Sequence, residues 1–130
     1  MLKKTVSFLV CICLMVGVGS TVLTASALTN ISSASSSISI SGTTAYVACS
    51  VYGYQAKTTR CSITANLQQY KNGGWVTIAT WSQSYNNYRG ALSASKTVSR
   101  GYSYRVYATF SAYANGFTEY VSLASKTTSC

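Results

Sequence analysis

Tyr102-Ser103-Tyr104-Arg105-Val106-Tyr107-Ala108-Thr109-Phe110-Ser111-Ala112-Tyr113-Ala114, then Asn115-Gly116, then Phe117-Thr118-Glu119-Tyr120-Val121-Ser122-Leu123-Ala124, is the stretch that decides the fold. Two alternating runs of β-favouring residues flank an Asn-Gly dipeptide, the strongest short-range hairpin signal because a type I′ turn needs positive φ at both central residues. With that turn, Phe110 faces Val121, Ala108 faces Leu123 and Val106 faces Ser125, which collects small apolar side chains on one side. The other side then carries Arg105 opposite Lys126, Tyr107 opposite Ala124, Ser111 opposite Tyr120 and Tyr113 opposite Thr118. Two cations at one pair predict strand ends that splay or meet an anion.

The same grammar runs upstream. Ser37 to Ser41 alternates up to a turn at Gly42, Tyr46 to Tyr52 alternates up to Gly53, and Cys61 to Leu67 alternates again. Lys71-Asn72-Gly73-Gly74 predicts a second hairpin with Trp75 to Ser82 as its returning strand, and a weaker strand covers Ala91 to Val98. In the simplest register Leu67 faces Ile78 and Ala65 faces Thr80 on the core side, while Tyr70 faces Trp75 outside with Trp81 near Thr64; a bulge would swap those faces. About seven short strands, no proline and no helical periodicity predict an all-β, antiparallel sandwich of the immunoglobulin or fibronectin type III kind.

Val98-Ser99-Arg100-Gly101-Tyr102-Ser103-Tyr104-Arg105-Val106 resembles the start of the sixth strand in fibronectin type III and immunoglobulin-like domains, with Tyr104 at the position of the corner tyrosine and Arg100-Gly101 where a proline is usual. Taken with the leader, Cys49-Ser50-Val51-Tyr52-Gly53-Tyr54, Leu67 through Gly73-Gly74-Trp75, and Trp81-Ser82, the chain resembles a group of small secreted proteins, of unknown function, from clostridial-type Gram-positive bacteria. The resemblance implies export and a β-sandwich, and transfers no active site.

The leader is the second decisive segment. Met1-Leu2-Lys3-Lys4, an apolar stretch from Val6 to Val18 and Ala25-Ser26-Ala27 read as a signal peptide over residues 1–27, cleaved after Ala27. The apolar run is short of the ~20 residues a membrane span needs, so no transmembrane anchor is expected. Cys11 and Cys13 do not follow the Gly or Ala of a lipoprotein site. Residues 28–37 are Ser-rich and predict an extended lead-in, and residues 38–130 a single sandwich domain. Export places the protein outside the cell, in the medium or held at the cell wall.

The exported chain of 103 residues carries one carboxylate side chain, Glu119, against eight lysines and arginines, with no Asp and no His. Acid–base pairs, Ser-His-Asp or Cys-His nucleophiles and His-based metal sites all need residues it lacks, so neither enzymatic activity nor a metal or other cofactor is expected. Ser95-Lys96 and Ser125-Lys126 are adjacent in strands and point to opposite faces. The net charge of +7 attracts polyanions, although it equally serves solubility.

Two candidate features remain. Tyr70, Trp75, Trp81, Tyr107, Tyr113 and Tyr120, with Arg105 and Lys126, fall on one solvent-facing sheet surface, able to stack sugar rings or cover a partner; the structural alternative is cross-strand aromatic pairing with a tryptophan capping the core. Of the three cysteines outside the leader, Cys49 and Cys61 close a short loop and are the expected disulfide, which leaves Cys130 free or joined to a second copy in a homodimer. The preferred function is a secreted, non-catalytic module binding an anionic cell-wall polymer, glycan or other extracellular polymer. The alternatives are an antimicrobial or toxin protein acting on anionic bacterial surfaces and a self-associating matrix protein. Nucleic acid is not an expected partner of an exported protein.

Overall fold

The computed structural model describes the backbone of Ser20–Thr24 and all of residues 28–130. The rest of the expected leader lies outside the described residues. Among the described residues nine strands run in order: β1 (Ser20–Thr24), β2 (Ile31–Ser41), β3 (Thr44–Gly53), β4 (Arg60–Lys71), β5 (Gly74–Tyr85), β6 (Arg89–Thr97), β7 (Ser103–Ala114), β8 (Phe117–Ala124) and β9 (Thr128–Ser129). They form two antiparallel sheets, β1-β2-β3-β6 and β5-β4-β7-β8, with β9 added to β7. Strands β2 to β8 are thus the seven of an immunoglobulin or fibronectin type III-like sandwich, split three and four.

Turn chemistry sets the hairpins. Asn72 and Gly73 have φ of 53° and 81°, and Asn115 and Gly116 have 52° and 76°, so both Asn-Gly pairs make the type I′ geometry that their sequence predicts. The last hairpin has the expected register, with Phe110 opposite Val121, Ala108 opposite Leu123 and Tyr113 opposite Thr118. Ile38, Val47, Val51, Ile63, Leu67, Val106 and Phe110 from the two inner faces form one core.

Tyr104 acts as the corner expected of it. It is fully buried, its hydroxyl donates to the Ser99 carbonyl at 2.7 Å, and the Gln69 side-chain amide donates to that hydroxyl at 3.0 Å. The turn before β7 is thereby fastened to β4.

Residues 28–37 differ from the loose lead-in expected of them. Strand β2 already starts at Ile31, because Ile31, Ala34 and Ser36 point inward and are buried while the intervening serines face out. A run of serines hides the period-two pattern when small residues serve both faces.

Candidate functional site

On the outer face of the second sheet, pairing between β5, β4, β7 and β8 stacks side chains into rows about 4.8 Å apart across the strands. Central rows are almost all hydroxyl and amide. Thr64 and Ser82 lie 3.0 Å apart, Thr109 and Ser122 3.0 Å, Ser62 and Ser111 2.5 Å, and Thr80 donates to Asn66 at 2.8 Å. The result is a strip of hydrogen-bonded polar groups.

Aromatic rings with cations close both ends of the strip. At one end Tyr70 and Trp75 pack edge to face with centroids 5.2 Å apart, and the Arg105 guanidinium reaches across β4 to lie 4.4 Å from the Trp75 centroid and 5.8 Å from that of Tyr107. Arg105 Nε donates to Gln68 Oε1 at 2.8 Å, which holds the guanidinium in place. At the other end the Arg60 guanidinium lies 4.3 Å from the Tyr113 centroid, beside the widely exposed Tyr120. Eight residues of β4 separate Gln68 from Arg60, about 27 Å along a strand.

Six of the expected residues therefore share the face: Tyr70, Trp75, Arg105, Tyr107, Tyr113 and Tyr120. They form two end clusters rather than one patch. Trp81 is a correction. A bulge between Leu67 and Gln68 inserts Ile78, so Trp81 pairs with Ala65 and packs half-buried against the core. Lys126 is a second correction: β8 ends at Ala124, Ser125 turns inward so that its hydroxyl accepts the Val106 N–H at 2.8 Å, and Lys126 does not become the strand partner of Arg105. Arg60 was missed because the alternation is legible only from Cys61 onward.

The single carboxylate is elsewhere and occupied. Glu119 faces the inner side of β8, where Oε1 accepts the N–H groups of Asn30 (2.8 Å) and Ile31 (2.9 Å), and Oε2 those of Thr29 (N–H 2.8 Å, hydroxyl 3.1 Å). Burial pushes its pKa up, but these donors outweigh burial and hold the carboxyl below its ordinary 4.5. Its partners are the backbone N–H groups of this cradle and the Thr29 hydroxyl. The buried Asn30 side chain adds bonds to the Ala112 carbonyl (3.2 Å) and the Phe117 carbonyl (2.9 Å).

The expected disulfide is also corrected. Cys49 and Cys61 are buried free thiols. They stand on strands of different sheets, β3 and β4, and are not bonded to each other. Burial pushes the Cys49 thiol up to about 11 against hydrogen bonds from Ser36 and Ser37, and burial likewise raises Cys61. Cys130 is half-buried, with its N–H on Tyr102 O (3.1 Å), its carbonyl on Gly101 N (3.0 Å) and its thiol 3.5 Å from Gly42 O. Among the described residues no group of His, Cys, Asp and Glu is placed to hold a metal, and no helix is long and apolar enough to cross a membrane.

The outer face of the first sheet carries a feature not anticipated: a shallow trough of about 600 Å³ lined by Ser37, Ser39, Tyr46, Ala48, Ser93 and Ser95. Comparison with protein-family profiles, with curated proteins and with solved structures finds no match.

Proposed function

We propose that the protein is a secreted, non-catalytic binding module that holds an anionic polymer of the cell envelope or extracellular matrix against the outer face of its second sheet. The observation that carries this reading is the pair of arginine–aromatic stacks, Arg105 on Trp75 and Arg60 on Tyr113, at the two ends of a hydroxyl-lined strip. A stacked guanidinium is held flat with its N–H edge outward, suited to a phosphate or carboxylate, while the rings and hydroxyls suit a sugar backbone. No carboxylate side chain opposes them, because Glu119 is bound on the inner side. That commitment of the only acidic side chain also supports a binding role over a catalytic one.

The test is retention of the exported protein on isolated Gram-positive cell walls, before and after removal of teichoic acid, at low and high salt. Binding that weakens with salt, falls on stripping and drops about tenfold or more in Arg105→Ala with Trp75→Ala supports the proposal. Equal binding by the double variant, with its melting temperature unchanged, refutes the assigned face.

A further inference from the structure

The partner of β2 comes from the leader. Ser20 to Thr24 run antiparallel beside β2, with Ser20 opposite Ser37, Val22 opposite Ser35 and Thr24 opposite Ser33. Cleavage after Ala27 removes all of β1, so the inference rests on the leader being processed. What remains is an open edge along β2.

That edge lacks the devices that normally protect one. Sheet edges are blunted by charge, proline, bulges or shortness. Of the edge strands left after processing, β6 carries Arg89 and Lys96, β5 is bulged at Ile78, and β8 is 8 residues long and carries Glu119. By contrast β2 is 11 residues of Ile, Ser and Ala, without charge or proline, and its only irregularity lies at its start, between Ile31 and Ser33. β1 shows that the edge accepts an antiparallel strand in regular register.

We propose that removal of the leader exposes β2 as a pairing edge for the β2 of a second copy, giving a twofold dimer with a continuous sheet β6-β3-β2-β2-β3-β6. The sequence is self-complementary for this. An antiparallel pairing centred on Ser35 sets Ser33 against Ser37 on the outer face and Ala34 against Ser36 on the inner face, all small residues. Paired residues of antiparallel strands point to the same side, so the inner faces of both copies lie on one side of the joined sheet. Both second sheets then lie on that side, and their arginine–aromatic strips sit abreast. The edge is thus covered while the leader is attached and open once it is removed.

The test uses the protein recovered from culture medium, its N-terminus established by intact mass, in sedimentation velocity from low to high micromolar concentration with reductant present. Expected are loss of residues 20–24, a reversible dimer that survives reductant and Cys130→Ser, and about tenfold or greater weakening in Ser33→Lys with Ser37→Lys, which places like charges opposite each other. Ala48→Lys, on the central strand of the same outer face, leaves the dimer intact. A monomer at every concentration overturns the proposal, as does a dimer lost with reductant, a dimer indifferent to the lysine pair while both variants melt as the parent does, or an exported chain still carrying residues 20–24. Wall binding by a monomer would leave the polymer reading standing while this inference fails.

Discussion

Replacing Glu119 by glutamine isolates the cradle that fastens the start of β2 to β8. Four donors converge on the carboxylate: three successive backbone N–H groups, of Thr29, Asn30 and Ile31, and the Thr29 hydroxyl. Glutamine keeps one oxygen, able to accept from Asn30 and Ile31 as Oε1 does now, and turns an NH₂ toward the N–H of Thr29. A hydrogen bond to a charged group contributes about 1.5–3 kcal/mol and one to a neutral group about 1. Two bonds are downgraded, and the Thr29 bonds, open to water, are replaced at small cost. The sum is about 2 kcal/mol, a fall of roughly 8–15 °C in Tm for a domain this size. Urea unfolding of the chain of residues 28–130 at pH 7 measures it, with the m-value unchanged.

The sign with pH gives an internal control. The folded carboxyl sits below its ordinary 4.5, so its contribution is complete above that value and is lost as pH falls through the lowered one. Wild type and Glu119→Gln should therefore differ by the full amount at pH 7 and converge in strong acid. Equal midpoints at pH 7, or a gap that stays constant into strong acid, would refute the cradle as a source of stability.

Three further outcomes are expected. Tyr104→Phe removes the bond to Ser99 and the acceptor for Gln69, and should lower stability by about 1–2 kcal/mol in the same urea assay; no change would mean the corner is held by packing alone. Gly90→Ala puts a methyl group into the Tyr85 ring, whose hydroxyl donates to the Ala91 carbonyl, so overpacking should cost about 1–3 kcal/mol, and Tyr85→Ala with Gly90→Ala should lose less than the two single changes summed. Thiol titration of the chain of residues 28–130 should find three reactive groups in denaturant, with Cys49 and Cys61 resisting alkylation while folded; a single thiol in denaturant would restore the disulfide.

How far sequence reached can be traced residue by residue. Asn115-Gly116 fixed the register of β7 and β8 because a two-residue turn leaves no freedom, and Tyr104 was legible because its spacing from Val98 is a local constraint. Trp81 was misplaced because a single inserted residue inverts every face beyond it, and composition around Thr77-Ile78-Ala79 fits either phase. The disulfide failed for a different reason: closeness in sequence between Cys49 and Cys61 says nothing of which sheet each joins. The partners of Glu119 are backbone groups about ninety positions away, which no side-chain pattern announces. The Arg105 stack needed three strands in register at once, and the Arg60 stack came to light only once β4 was set beside β7.

The Glu119 cradle also sets an order of events. A chain that emerges N-terminus first delivers β2 early, yet the carboxylate that fastens its start arrives 89 residues after Asn30. Until the last hairpin has formed, the leading end of β2 is held only by its carbonyls, that of Asn30 on the Thr58 hydroxyl (2.8 Å) and that of Thr29 on the Lys57 ammonium (2.7 Å), and its N–H groups lack their acceptor. Contacts this distant in sequence slow folding, since the intervening loop must close before they form. The start of β2 is therefore secured in two stages, its carbonyls from a nearby loop and its N–H groups only when the C-terminal hairpin closes.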